Sequence, residues 1–88
     1  MNYTDKSQAL LDDLLSPIPF FARPMAKKAM EKEIFAEAER AGHDVVGDED
    51  VLRGYIIAGT KKGTETDKIK AVLTSKGIDL SKYADLLA

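Results

Sequence analysis

A proline-rich apolar segment near the start of the chain constrains its fold more than any other feature. Residues 17–24 have the sequence Pro-Ile-Pro-Phe-Phe-Ala-Arg-Pro. Each proline fixes its own φ angle, lacks an N–H donor and disfavours the helical conformation in the residue before it. The segment is therefore too rich in proline for a helix interior and too apolar for an ordinary surface linker. It predicts a stiff, extended entry into the next element.

Helical periodicity accounts for the other patterned parts of the chain. Apolar side chains recur at helical spacing within residues 10–15, 21–41, 51–56, 69–73 and 80–87. Strand signals are confined to a Val-Val pair that is too short to count. The sequence therefore predicts an all-α fold, a small compact domain of four to five helices with no sheet.

Capping residues give the helix boundaries. Thr4 or Ser7 is a suitable N-cap for the first helix. Pro24 fits the first turn of the second helix, where a missing N–H costs little, and Gly42 fits the position just after its end. Gly47 fits the N-cap of the third helix, because an acidic first turn follows it.

The predicted second helix carries two apolar faces, well over a quarter-turn apart at 100° per residue. Phe21, Met25 and Ala29 define the first face, and Met30, Ile34, Ala38 and Ala41 define the second. This arrangement predicts either different packing partners at the two ends of the helix or a bend in its middle. Across the chain, the residues predicted to be largely buried are Leu11, Leu14, Phe21, Met25, Ile34, Val51, Leu52 and Ile56.

A glycine-bounded stretch, Gly59 to Gly63, predicts a linker. The chain is accordingly divided into a helical domain, residues 1–59, and a linker with a C-terminal helical extension, residues 60–88.

Composition excludes several classes of protein. The chain has 88 residues, a net charge of −2 and no cysteine. Structural disulfides, thiolate zinc sites and cysteine-ligated iron–sulfur clusters are therefore excluded, and the balanced charge disfavours a nucleic-acid binder. The N-terminus lacks the features of a signal peptide, and no apolar run approaches the ~18 residues of a membrane span. We therefore expect a cytoplasmic protein without a nucleic-acid or membrane partner.

A cation cluster follows the proline segment. Arg23, Lys27 and Lys28 lie in the first turns of the second helix, where the helix dipole is already positive. Three cations at the positive end of a helix dipole repel it, and a bound anion would relieve this repulsion. The cluster therefore predicts a site for a carboxylate or phosphate, with the forked guanidinium of Arg23 as its main ligand-binding group. The alternative is that both lysines are solvated and pair with Glu31, three and four residues further on.

The two aromatic residues before this cluster, Phe20 and Phe21, also have two interpretations. They are either part of the core or the apolar wall of a binding site beside the cations. We therefore take Phe20, Phe21, Arg23, Lys27 and Lys28 as the candidate ligand-binding or partner-binding residues.

Catalytic and metal-binding patterns are scarce. His43 is the only histidine and lies in a predicted turn, which favours a solvated side chain over a ligand or a proton-transfer group. Four glutamates of the second helix favour a solvated face over a carboxylate metal site: Glu31, Glu33, Glu37 and Glu39. No catalytic residue and no metal ligand is therefore assigned.

A nucleic-acid-binding helix–turn–helix protein is the interpretation that the sequence favours least. The turn at residues 41–44 is compatible with it, but the presumptive recognition helix opens with Asp48, Glu49 and Asp50, which would face phosphates with negative charge.

Residues 16–59 carry motifs that resemble a known domain. The matching elements are Ile-Pro-Phe-Phe-Ala-Arg at 18–23, a basic helix at 25–31, Ala-Gly at 41–42 and Val-Gly-Asp-Glu-Asp-Val at 46–51. This half of the chain resembles the protochlorophyllide-reductase-like (PCP_red) domain, found at the C-terminus of the B subunit of light-independent protochlorophyllide reductase.

The resemblance implies a compact helical domain beside a tetrapyrrole site, with electron transfer left to much larger parts that this chain lacks. We therefore expect a non-catalytic binding or accessory module that contacts a protein partner or an anionic cofactor. We expect it to bind no cofactor by itself and not to be an enzyme on its own. The alternative that the resemblance implies is a detached component of an oxidoreductase of chlorophyll biosynthesis, with a tetrapyrrole shared with a partner.

Overall fold

The computed structural model describes residues 1–87, most of which are helical. The α-helices are α1 (Asp5–Leu15), α2 (Arg23–Arg40), α3 (Asp48–Lys61), α4 (Thr66–Ser75) and α5 (Ala84–Leu87), with a 3₁₀ turn at Leu80–Tyr83 before α5. The predicted all-α class is confirmed.

A two-residue parallel strand pair joins the N-terminus to the middle of the chain. β1 (Asn2–Tyr3) pairs with β2 (Val45–Val46), so that Asn2 lies opposite Val45 and Tyr3 opposite Val46. Within residues 1–87 this is the whole sheet. It was not predicted, because strands this short have no periodicity that a sequence could reveal.

The start of α1 is tied to the same place. The Thr4 side chain accepts a hydrogen bond from the Ser7 N–H at 3.0 Å, so Thr4 is the N-cap. The Ser7 hydroxyl is buried and donates to the Val46 carbonyl at 2.8 Å. Ser7 is therefore a link between α1 and β2, which the sequence did not distinguish from a cap.

The predicted ends of the middle helices are confirmed, with one exception. Pro24 occupies the first turn of α2, and Gly42 follows it with a φ of 76°. Gly47 precedes α3 and donates its N–H to the Asp50 carboxylate at 3.0 Å. The exception is the predicted linker, because α3 continues through Gly59 and ends at Lys61.

The most extensive contact in the fold joins α2 and α3. The two helices approach so closely that a Cβ atom added to Gly54 would lie 2.4 Å from the Ile34 Cγ1 and 2.6 Å from the Ile34 Cα. Real Cβ atoms are not found so close to another carbon, so only glycine fits this position. The absent side chain of Gly54 therefore sets the spacing of the two helices.

The core collects side chains from all of the helices. Its large members are Leu11, Leu14 and Leu15 of α1, Met30 and Ile34 of α2, Val51, Leu52 and Ile56 of α3, Ile69 and Leu73 of α4, and Val46, Tyr83 and Leu87. Residues from both sides of the predicted boundary at 59–60 thus share one cluster. The division into two parts stays a prediction that truncation can test.

Two residues predicted to be buried are exposed, and the prediction is wrong for both. Phe21 is 76 % exposed and Met25 is 77 % exposed. The reason lies in α2, whose second apolar face packs into the core through Met30, Ile34 and Ala38. Because the two faces diverge around the helix, α2 cannot turn both of them toward α3.

We predict that Gly54→Ala destabilises the protein by about 1–3 kcal/mol through overpacking. An ordinary Gly→Ala change inside a helix has the opposite sign and stabilises by up to ~1 kcal/mol. Gly59→Ala in the same helix is the matched control, since its added Cβ would meet only side-chain atoms of Ile69, the nearest being the terminal Cδ1 at 3.1 Å. Urea unfolding of both variants checks the prediction, and equal midpoints would contradict it.

We predict that a chain ending at Lys61 loses cooperative unfolding. Truncation there removes Ile69, Leu73, Tyr83 and Leu87 from the core and exposes the apolar surface they cover. Circular dichroism during thermal unfolding measures the effect, with the full chain as reference. A truncated chain that keeps a sharp transition near the original temperature would instead support a separate domain of residues 1–59.

Candidate binding surface

The proline segment forms a tight turn that leads directly into α2. The N–H groups of Ala22 and Arg23 both donate to the Pro19 carbonyl, at 2.9 and 3.1 Å. Pro24 has no N–H, and no side chain caps the helix. The start of α2 therefore offers fewer free donors to an anion than its position in the sequence suggested.

Three large apolar side chains protrude from this turn and from the first turn of the helix. Phe20 is 78 % exposed, and its ring packs edge-to-face against that of Phe21 at a centroid distance of 5.9 Å. Met25 stands one helical turn after Phe21 and is equally exposed. We call these three residues the apolar knob. Their exposure contradicts the interpretation that Phe20 and Phe21 are core residues.

Arg23 holds the knob in place. Its Nε donates to the Ile18 carbonyl at 2.7 Å, and its Nη2 donates to the Ser16 carbonyl at 3.0 Å. These bonds tie the start of α2 to the residues that follow α1. Because two of its five donors are used in this way, Arg23 acts mainly as a positioning residue for the knob. The anion-gripping role predicted for it stays a prediction.

Lysines surround the knob. Lys27 lines an open groove beside Phe20, and Lys28 and Lys32 flank Met25. A fourth lysine, Lys62, lies just after α3 and lines a neighbouring recess to which Ala29 of α2 also contributes. We call these four residues the lysine cluster. Within residues 1–87, none of the four is within ion-pair distance of a carboxylate.

The predicted pairing of Lys27 and Lys28 with Glu31 is not formed. Glu31 instead accepts a hydrogen bond from the Tyr3 hydroxyl at 2.5 Å. Burial, together with this bond, raises the pKa of Tyr3 above its ordinary value. The N-terminal segment therefore engages the carboxylate that would have neutralised the two lysines.

Many other cations of the molecule do pair. Arg53 bridges the buried Glu37 and the exposed Asp85, at 2.7 and 2.9 Å, and Arg40 also contacts Glu37. Lys61 contacts Glu33 at 2.6 Å. The solvated face predicted for the glutamates is therefore wrong for Glu33 and Glu37, which lie on the side of α2 that faces α3.

A small polar pocket lies beside this network. His43 Nδ1 is 2.8 Å from the Oδ2 atom of the buried Asp50, and the imidazole is about half exposed. The neighbouring Arg53 guanidinium lowers the pKa of Asp85. His43 is thus hydrogen bonded rather than simply solvated. Its partner Asp50 also bonds the Gly47 N–H, so the pair serves the start of α3.

Comparison with known proteins places the chain in a family. The sequence model of DUF2621, described as a protein of unknown function, matches residues 1–87. The chain belongs to the DUF2621 family. No curated protein and no solved structure matches it.

This finding overturns the resemblance to the protochlorophyllide-reductase-like domain. No PCP_red domain is found in the DUF2621 chain, whose family match extends over 1–87 rather than over the half that carried the resemblance. The Ile-Pro-Phe-Phe-Ala-Arg motif was a short local likeness. The oxidoreductase, chlorophyll and tetrapyrrole roles depended on it alone and have no other support.

No helix in residues 1–87 is both long and apolar enough to cross a membrane. Over the same residues, no group of three or more histidine, aspartate or glutamate side chains is arranged to hold a metal ion.

The sequence predicted some residues of the apolar knob and the lysine cluster but not all of them. Phe20, Phe21, Lys27 and Lys28 lie together around the knob, as their closeness in the chain requires. Met25 was assigned to the core and Lys32 was not selected. Both follow the selected residues at four-residue spacing, so a periodic pattern was present. Lys62 is far away in the sequence and joins the cluster only through the packing of α3 on α2.

We predict that Phe21→Ala changes the free energy of unfolding by about 0.5 kcal/mol or less, as is usual for exposed positions. Ile34→Ala, a fully buried control in the same region, is expected to cost about 2–5 kcal/mol. Chemical unfolding of both variants measures the difference. If Phe21→Ala lowers the free energy of unfolding by several kcal/mol, the ring of Phe21 is a core residue and the prediction is wrong.

Proposed function

We propose that the DUF2621 chain is a non-catalytic protein-binding module. Its docking surface consists of the apolar knob and the lysine cluster, and its partner is a protein with an apolar site bordered by acidic residues. The observation that carries the proposal is the combination of three large apolar side chains, each exposed by more than three quarters, with lysines that have no ionic partner.

The knob is costly to leave in water. Burial of apolar surface yields about 25 cal/mol per Å², and contiguous exposed apolar patches on small proteins mark interaction sites. The edge-to-face ring pair and the hydrogen bonds of Arg23 hold the knob in one arrangement before binding. A pre-organised surface loses less side-chain entropy on association.

The shape of the knob favours a protein over an anionic cofactor. Small molecules bind in concave sites that cover most of their surface, whereas Phe20, Phe21 and Met25 protrude. The groove beside Phe20 has a volume of about 490 Å³ but is open to solvent, so it would cover little of the surface of a bound small molecule. A protruding apolar surface is matched by a recess in a larger partner.

The lysine cluster defines the charge of that partner. Pairing of two copies of this surface would bring lysines against lysines, and like-charge juxtaposition is unfavourable. An acidic border is complementary to all four lysines. An anionic membrane is a weaker match, because Asp12 also lines the groove beside Phe20. A protein can place its carboxylates against the lysines and away from Asp12, whereas a continuous layer of lipid phosphates cannot.

Selection of binders from a phage-displayed random peptide library tests the proposal. We predict that the selected peptides combine acidic and large apolar residues. Their affinity should fall at least about tenfold, or about 1.4 kcal/mol, for the Phe21→Ser variant and for the Lys27→Glu, Lys28→Glu double variant. It should also weaken with added salt.

Val45→Ser is the matched control, because Val45 is an exposed apolar residue away from the docking surface. Peptides that bind all of these variants equally would contradict the proposal. So would selected peptides without acidic residues. Pelleting of the protein with phosphatidylglycerol vesicles, abolished in Phe21→Ser, would assign the surface to lipid instead.

A further inference from the structure

A small apolar recess opens between α2 and α3 next to the knob. The helices are in close contact at Ile34 and Gly54, but toward the start of α2 their facing residues are the small side chains of Ala26 and Ala58. The volume between them is about 180 Å³. Ile69 of α4 also lines it, so the recess lies over the core.

The recess and the knob belong to one continuous surface. Ala29 lines the recess and also shares a surface with Met25 and Lys28 on the knob side of α2. Lys62 lines the recess from α3, while Lys28 and Lys32 lie on the α2 side. The apolar knob and the recess are therefore adjacent, and lysines without an ionic partner lie at both edges of this surface.

We infer that the partner presents an acidic amphipathic helix, which lies along the first half of α2 and inserts one large apolar side chain into this recess. The inference rests on the proposed function and adds to it the type of segment that binds and the position of its anchor. It assigns the recess, which the sequence did not indicate, to binding.

The size of the recess limits what it can hold. Pockets for small organic ligands have volumes of about 300–1,000 Å³, so a recess of about 180 Å³ is too small for most of them. A single leucine or phenylalanine side chain is a suitable occupant. Such an anchor is typical of an amphipathic helix bound in a groove.

The arrangement along α2 favours a helix over an extended strand. Met25 and Ala29 follow each other at four-residue spacing on one side of α2, and Phe21 protrudes from the turn just before them. The side chains of a second helix at i, i+3 and i+4 can follow apolar residues arranged in this way. Lysines on both sides of these residues then meet acidic residues on both flanks of the partner's apolar face.

The test uses a designed amphipathic peptide of about 16 residues, roughly four helical turns, with glutamates on its flanks and one central phenylalanine as anchor. A second peptide has alanine at the anchor. We expect the full chain to bind the first peptide at least about tenfold more tightly in fluorescence anisotropy. In NMR spectra the backbone amides of Ala29, Ala58 and Gly59 should shift with the first peptide only.

Ala29→Gln blocks the recess with a residue that favours helix, and we expect it to reduce the affinity for the phenylalanine peptide at least about tenfold. Ala36→Gln is the matched control, an exposed position in the same helix that does not line the recess. We expect it to leave the affinity unchanged. Circular dichroism confirms that both variants fold.

The outcomes separate this inference from the proposed function. One outcome is that the phage-selected peptides fail to bind Phe21→Ser but bind Ala29→Gln normally and leave the amides that line the recess unshifted. In that case the recess is not a binding site for an anchor, and the proposed docking surface is retained. If the peptides bind the Phe21→Ser variant as tightly as the unchanged protein, both the docking surface and the recess are overturned. If the phenylalanine peptide fails to bind at millimolar concentration, the acidic helix is overturned as the partner. The same holds if decanoate, but not the peptide, shifts the backbone amides that line the recess.

Discussion

The close approach of α2 and α3 at Ile34 and Gly54 is the contact on which the rest of the fold depends. It allows two helix backbones to meet without an intervening side chain, and it places Ile34, Val51 and Ile56 at the centre of the core. The other elements pack around this pair. The contact also fixes the rotation of α2 about its axis. With Met30, Ile34 and Ala38 turned inward, Met25 is turned away, and Phe21 in the preceding turn is exposed beside it. The exposed knob is thus a consequence of the same contact that stabilises the core.

Charge is distributed unevenly over the two halves of α2. In the second half, the buried Glu37 has the side chains of Arg40 and Arg53 as partners, and Glu33 has that of Lys61. Leaving a buried carboxylate without a partner would be strongly unfavourable, so these cations are held by the fold. In the first half, Glu31 is engaged by Tyr3, and the neighbouring lysines have no carboxylate within reach. The structure therefore leaves positive charge beside the exposed apolar residues. This juxtaposition is the basis of the proposed docking surface.

Arg23 has a local role in the structure that its place in the sequence did not indicate, and its predicted role as an anion-binding fork stays a prediction. Its place at a positive helix end, between prolines, indicated an anion-binding fork. In the structure its guanidinium satisfies the carbonyls of Ser16 and Ile18, which lie beyond the end of α1 and have no helical partner. The same short motif carried the resemblance to the protochlorophyllide-reductase-like domain, which the DUF2621 match replaces. In this chain the six residues form a turn that enters a helix, and a likeness confined to so short a segment did not identify the family.

The sequence by itself determined the helices, most of their ends and the apolar stripes of α1 and α3, because these depend on local propensity, capping and spacing. Thr4, Pro24, Gly42 and Gly47 have the predicted roles for that reason. It also brought Phe20, Phe21, Lys27 and Lys28 into one candidate surface, since they are neighbours in the chain. Only the tertiary structure decided which of the two apolar faces of α2 is buried, because that choice depends on the Gly54 contact with a helix twenty residues away. The burial of Glu33 and Glu37, the addition of Lys62 to the lysine cluster and the recess beside Ala29 likewise arise where distant segments meet, and periodicity within one segment carries no information about them.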